Sequence, residues 1–202
     1  MTLYEFDRAI LSEGYALICG VDEAGRGPLA GAVFASAVTL PYDVVIDGLN
    51  DSKKLSAKRR EELFEEITRS VLDYCIASAD AWEIDSVNIL QASFLAMRRA
   101  VEGLSLPSNL VLVDGNADPR LHLPTRTIVK GDSKSACISA ASILAKVARD
   151  RYMADLDKEY PQYMFSKHKG YPTKLHYQML DEYGPCPEHR ESFLRSWRQK
   201  NK

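Results

Sequence analysis

The chain has 202 residues, of which 46% are hydrophobic and 27% are charged. This ordinary globular composition argues against wholesale disorder, a collagen-like repeat or a coiled-coil rod. The 26 Lys and Arg residues against 28 Asp and Glu residues give a formal charge of -2, which by itself disfavours a strongly basic nucleic-acid binder.

The sequence also predicts where the protein resides. No apolar run reaches the roughly 18 residues that a transmembrane helix needs, and the acidic N-terminal stretch does not resemble a signal peptide. The four cysteines are widely spaced and form no CxxC pair, which disfavours a zinc ribbon and favours a reducing compartment. We therefore expect a soluble, cytoplasmic protein without a membrane partner.

The first two predicted strands are short apolar runs separated by a turn. Residues 15–21 form the first run, which ends at Asp22 and Glu23, and residues 30–40 form the second run, which Pro41 closes. Gly and Pro residues at 25–28 are typical of a turn, so an antiparallel hairpin is expected.

Helical and strand-like segments alternate in the middle of the chain. Ser56 is the predicted N-cap of a helix over 58–74. Further elements follow in chain order, namely a strand at 75–80, a helix at 83–103 and strands at 109–114 and 125–129.

From about residue 134 onward the pattern is helical. It predicts one long helix over 136–158 and two shorter ones over 173–183 and 188–199, separated by a Gly/Pro breaker at 184–187. The order of elements indicates a single domain 1–202 of mixed α/β class, with its core at about 15–160 and a helical C-terminal region at about 161–202.

Acidic side chains follow three of the predicted strands. Asp22 and Glu23 follow the first, Asp114 ends another and Asp132 follows a third. Strand ends that meet at one sheet edge would bring these carboxylates together, and clustered carboxylates repel unless a cation is present. Hard divalent cations such as Mg²⁺ prefer such oxygen ligands. The alternative is that the acids are solvated turn residues.

Basic residues concentrate in the C-terminal half, where residues 165–202 carry eight Lys or Arg against four Asp or Glu. Ser142, Lys146 and Arg149 are spaced to share one helix face that would contact successive phosphates, although a solvated charged face is the simpler alternative. Tyr171 is predicted to stack on a sugar or base, or else to pack in the core. His168 is predicted either to act as a base or ligand, or to lie at the surface.

Five stretches in this order make the chain resemble bacterial ribonuclease HII. They are GVDEAGRGPLAG at 20–31, LNDSKKLS at 49–56, VLVDGN at 111–116, KGDSKSACISAASILAKVARD at 130–150 and HKGYPT at 168–173. The resemblance implies a ribonuclease H-like mixed sheet flanked by helices, with a C-terminal helical region. It also implies a monomeric endonuclease that hydrolyses the RNA strand of RNA–DNA hybrids and cuts 5′ of single ribonucleotides embedded in duplex DNA. The expected products carry 5′-phosphate and 3′-hydroxyl ends.

The resemblance further implies a role for particular residues. The acidic ligands of two divalent cations, Mn²⁺ or Mg²⁺, would be Asp22, Glu23, Asp114 and Asp132. The residues that recognise the ribose 2′-OH would be Gly25, Arg26 and Gly27, and Tyr171 would stack on the deoxyribose beyond the ribonucleotide. The phosphate contacts would be Lys53, Ser142, Lys146 and Arg149.

Two other functions remain open at this point. The first is a metal-dependent nuclease or strand-transfer enzyme of the same fold that acts on DNA. The second is a module that binds hybrids without cutting them, although such a binder has no need of anions near phosphate.

Overall fold

The computed structural model describes residues 1–49, 52 and 55–200, and five strands form one sheet at its centre. The strands, in chain order, are β1 (Ile18–Ala24), β2 (Val33–Thr39), β3 (Asp73–Ala79), β4 (Leu110–Asp114) and β5 (Thr125–Ile128). Across the sheet the order is β3-β2-β1-β4-β5. Strand β1 pairs antiparallel with β2, which confirms the predicted hairpin, and parallel with β4, while β4 pairs parallel with β5.

Helices surround this sheet. They are α1 (Leu3–Leu11), α2 (Ala57–Ser70), α3 (Ala81–Val87), α4 (Ile89–Glu102), α5 (Ala136–Glu159), α6 (Phe165–His168), α7 (Lys174–Tyr183) and α8 (Arg195–Lys200). Helix α5 packs on β1 and β2, and α4 packs on β2 and β3. This arrangement confirms the predicted α/β class. Within the described residues, no helix is both long enough and apolar enough to cross a membrane.

Strand β1 separates two apolar cores because its side chains alternate between the faces of the sheet. Ile18 packs in the core beneath α5, whereas Cys19 and Val21 pack in the core beneath α4. Helix α5 approaches β1 so closely at Gly20 that a Cβ atom there would lie 2.2 Å from the backbone carbon of Cys137. The glycine therefore allows the long helix to lie directly against the strand that carries Asp22 and Glu23.

The first four helices agree only in part with the sequence prediction. Ser56 accepts a hydrogen bond from the Arg59 amide at 3.2 Å, which confirms it as the N-cap of α2. The single helix predicted over 83–103 is wrong, because Asn88 has a φ of +73° and separates α3 from α4. Its side-chain oxygen accepts hydrogen bonds from the first amides of α4, at 3.0 and 3.2 Å. Helix α1 was not predicted from the sequence.

The helix predicted over 188–199 is also wrong. The chain at His189 instead forms a β-bridge with Ala30, and a 3₁₀ turn over Glu191–Phe193 precedes the short helix α8. The Arg190 amide donates to the Leu29 carbonyl at 2.8 Å. Pairing with a distant loop thus competes successfully with local helix propensity, and it ties the C-terminal region to the loop after β1.

Candidate active site

An open cleft of about 240 Å³ lies at the end of β1. Its walls are residues 22–27, Ser52, two residues of α5 (Ser142 and Lys146) and Tyr171. Segments that are far apart in the sequence therefore meet here, and they include most of the residues that the sequence singled out.

The sheet places two of the acidic segments side by side. Val21 pairs with Val113 in the parallel register of β1 and β4, so Asp22 and Asp114, the next residues of these strands, lie side by side at the same edge of the sheet. Asp132 lies in the 3₁₀ turn Gly131–Ser133 that follows β5. The amide of Gly131 donates to Asp114 Oδ1 at 2.6 Å, and the amide of Asp132 lies 3.4 Å from the same oxygen. Asp114 thereby links the turn that carries Asp132 to this edge.

These carboxylates are in an unfavourable environment for negative charge. Burial, together with the charges of Glu23 and Asp114, raises the pKa of Asp22 well above its ordinary value. Burial also raises the pKa of Glu23, although the Arg26 guanidinium 3.3 Å away opposes that shift. Desolvated, mutually repelling carboxylates gain most from a nearby cation, so the donor set suits a hard divalent ion.

These acids are not arranged as a complete set of metal ligands. Among residues 1–49, 52 and 55–200, no group of three or more Asp, Glu, His or Cys side chains is arranged to hold a metal ion as it stands. The fit to a divalent cation therefore rests on the chemistry of the donors and on their shared sheet edge.

The Gly-Arg-Gly loop forms the wall next to the acids. Gly25 has a φ of +100°, and a Cβ atom on it would lie 2.1 Å from Nε of Arg149. Both observations require glycine at this position. The Arg26 side chain is 49% exposed and is paired with Glu23. The exposed Arg26 guanidinium and glycine backbone therefore line the cleft beside the carboxylates.

Tyr171 lines the same cleft and lies next to Gly27. The residue is 40% exposed, so the alternative that it is a core residue is wrong. A Cβ atom on Gly27 would lie 3.7 Å from the ring, and the Arg149 guanidinium lies 5.8 Å from the ring centroid. The cleft therefore presents an aromatic surface at this point.

Helix α5 contributes differently from its predicted pattern. Ser142 Oγ lies 2.9 Å from Ser52 Oγ, and Lys146 Nζ lies 2.6 Å from Asp150 Oδ1, both beside the cleft. Arg149 is fully buried, and its guanidinium donates to the carbonyls of Ala30, Ala32 and Lys169. The prediction of a direct phosphate contact by Arg149 is therefore wrong for this structure. Lys53, the fourth predicted phosphate contact, lies outside the described residues.

Three other residues near the cleft either were not predicted as site residues or were predicted in a different environment. Ser52 was not singled out, and Arg190 was counted only among the cations of the basic C-terminal half, whereas it is fully buried. His168 is buried and bonded to the backbone of Tyr163 and Gly170, so neither a surface position nor a metal-ligand role applies. No periodicity indicates the role of Arg190, because its partners are backbone carbonyls far along the chain.

Comparison with known proteins places the chain in a family. The family model described as Ribonuclease HII matches residues 19–200. Ribonuclease HII of Bordetella avium is 60% identical over 176 residues, which cover 87% of each chain. Ribonuclease HII of Caldicellulosiruptor saccharolyticus is 53% identical over 193 residues, which cover 96% of this chain and 94% of the relative.

A solved structure supports the same assignment at the level of the fold. The crystal structure of ribonuclease H2 from Pyrococcus horikoshii OT3 superposes with a TM-score of 0.75 at 26% identity, covering 92% of this chain and 99% of that one. The mixed sheet with flanking helices is thus the ribonuclease H-like fold that the sequence predicts. The chain belongs to the ribonuclease HII family and is a ribonuclease H, an endonuclease that cleaves the RNA strand of RNA–DNA hybrids.

Proposed function

We propose that this enzyme, besides cleaving hybrids, cuts duplex DNA on the 5′ side of a single embedded ribonucleotide. The products carry 5′-phosphate and 3′-hydroxyl ends, and the reaction depends on two divalent cations, Mn²⁺ or Mg²⁺. In this proposal the protein acts as a cytoplasmic monomer in the removal of ribonucleotides from DNA.

The proposal rests on the residues that line one cleft. The same cleft is lined by the carboxylates of Asp22 and Glu23, by the backbone of Gly25–Gly27 and by the ring of Tyr171. The 2′-OH is the group that distinguishes RNA from DNA, so recognition of one ribonucleotide requires polar groups close to a single sugar. Small glycines beside the carboxylates allow the chain to approach that sugar while the scissile phosphate lies at the acids.

In this proposal the acids Asp22, Glu23, Asp114 and Asp132 hold the metal ions. Divalent cations at such a site supply the positive charge that phosphodiester hydrolysis requires. Asp22 and Glu23 are the better supported ligands, because burial raises the pKa of both and a cation would relieve their repulsion. Asp132 serves as a ligand or as a proton acceptor.

The remaining residues of the cleft bind and orient the substrate. The exposed guanidinium of Arg26 and the ammonium group of Lys146 provide positive charge for the phosphates. The hydroxyl of Ser142 donates to a phosphate oxygen, and Lys53 adds a further phosphate contact. Tyr171 stacks on the deoxyribose that follows the ribonucleotide, which fixes the position of the RNA–DNA junction against the acids.

Cleavage of a labelled duplex with one ribonucleotide tests the proposal directly. The wild-type protein in Mn²⁺ or Mg²⁺ should cut once, 5′ of the ribonucleotide, whereas Asp22→Asn should not cut although it folds. Asp43→Asn is a matched control, because Asp43 is exposed and follows the end of β2 that points away from the cleft. Full activity of Asp22→Asn would contradict the site.

Two further results would favour the other functions. Equal cutting of an all-DNA duplex would indicate a general DNA nuclease of the same fold. Binding of the ribonucleotide duplex without cleavage in Mn²⁺ would indicate a hybrid-binding module.

A further inference from the structure

A fully buried arginine lies behind the Gly-Arg-Gly loop. Arg190 is 0% exposed and its side chain makes five hydrogen bonds, all to backbone carbonyls. Nη2 donates to Gly25 and Gly31, Nη1 to Arg26 and Pro28, and Nε to Gly31, at 2.7–3.0 Å. These are all five N–H donors of a guanidinium group, so the side chain is fully used in holding one loop.

The carbonyls that Arg190 binds determine where the loop amides point. A planar trans peptide directs its N–H away from its C=O, and the described residues include no cis peptide bond. Since the carbonyls of Gly25 and Arg26 face Arg190, the amides of Arg26 and Gly27 point to the opposite side. That side is the cleft, which Gly25, Arg26 and Gly27 line. Within the described part of the chain, neither of these two amides donates a hydrogen bond to another residue.

The charge of Arg190 is not neutralised by an acidic partner. Among the described residues, no carboxylate forms an ion pair with Arg190 or with Arg149, which binds the neighbouring carbonyls of Ala30 and Ala32. Burial and the charge of Arg149 lower the pKa of Arg190 to about 9, so it remains a cation at neutral pH. Two buried cations behind the loop thus make its cleft side favourable for oxygen atoms with partial or full negative charge.

We propose that Arg190 is a positioning residue for substrate discrimination: by binding the carbonyls of Gly25 and Arg26, it directs the Arg26 and Gly27 amides at the 2′-OH of the ribonucleotide. This inference rests on the proposed function, since it names the device through which the loop distinguishes ribose from deoxyribose. Arg190 itself touches no substrate. Lysine at this position keeps the charge but has three donors on one nitrogen, and it cannot span four carbonyls.

Binding measurements separate this role from a purely structural one. In an inactive Asp22→Asn background, dissociation constants are measured for two duplexes that differ only in one ribose or deoxyribose. Arg190→Lys should reduce the ratio of the two constants about tenfold or more, because displacement of a positioning group by about 1 Å is enough for such losses. Affinity for the all-DNA duplex should stay unchanged.

Arg198→Lys is the matched control. Arg198 lies eight positions further along the same segment, is about half exposed and pairs with Glu191, so the ratio should stay at its starting value. An unchanged ratio in folded Arg190→Lys, or an equal loss of affinity for both duplexes, would overturn the inference while leaving the proposed function intact. A failure of the background protein itself to discriminate would overturn the proposed 2′-OH recognition, and the inference with it.

Chemical rescue provides a second measurement. Arg190→Ala leaves a buried space lined by free carbonyls, which a small guanidinium ion can fill. Added guanidinium at concentrations well below those that unfold the protein should restore discrimination to this variant and leave Arg198→Ala unaffected. Circular dichroism establishes that the variant is folded, and a folded Arg190→Ala protein that guanidinium does not restore would also overturn the inference.

Discussion

Acidification should destabilise this protein through two buried histidines. His176 and His189 are 0% and 3% exposed, and their Nε2 atoms lie 3.0 Å apart. The amide of Cys186 donates to Nδ1 of His189, and Nδ1 of His176 lies 3.0 Å from the carbonyl of Tyr171, to which it donates. Both rings are therefore neutral and share one proton in their mutual hydrogen bond. A further proton on either ring leaves two N–H groups facing each other.

The size of the effect follows from the pKa values. Burial, followed by the charge of His168, lowers the pKa of His176 from 6.5 to about 4, and burial lowers that of His189 to about 4. Between these values the unfolded state binds more protons than the folded state, so stability falls as the pH falls from 6.5 to about 4. A shift of this size corresponds to about 3 kcal/mol for one histidine. Because the two rings are hydrogen-bonded to each other, we expect the pair to lose at least this much free energy of unfolding.

Urea denaturation at a series of pH values measures this loss. Buried carboxylates such as Asp22 act in the opposite direction, because a raised pKa favours the folded state at low pH, so the test compares variants. His189→Gln should lose stability less steeply below pH 6.5 than the wild type, whereas His122→Gln, at an exposed position, should follow the wild type. Identical slopes for wild type and His189→Gln would refute the reasoning.

Three further predictions concern other parts of the fold. Asp22→Asn should raise the unfolding midpoint in metal-free buffer at neutral pH, since it removes a carboxylate whose pKa is raised by burial. Thermal melts should also show that Mn²⁺ raises the midpoint of the wild type and not that of Asp22→Asn. Gly20→Ala should cost at least about 3 kcal/mol in urea denaturation, because the new Cβ would lie 2.2 Å from the Cys137 backbone. Asn88→Ala should cost about 1–2 kcal/mol in the same assay, because the cap of α4 is lost.

Much of the fold is predictable from local pattern. The hairpin of β1 and β2, the cap at Ser56 and the long helix α5 all appear where apolar periodicity and capping residues indicate them. Local sequence patterns gave wrong predictions where a distant contact determines the backbone conformation. The segment after His189 pairs with the loop at Ala30 instead of continuing as a helix, and a left-handed residue at Asn88 divides what periodicity presents as one helix.

The sequence by itself determined the acids, the glycine loop and the family, because strand ends, glycines and long specific motifs are local properties of the chain. Only the tertiary structure decided which cations face the cleft. Arg149 and Arg190 have the same charge as Arg26, yet both are buried and hold backbone carbonyls, whereas Arg26 lies at the surface of the cleft. Their role depends on carbonyl groups that come from as far as 165 positions away in the chain, and no local pattern of side chains records such a partner.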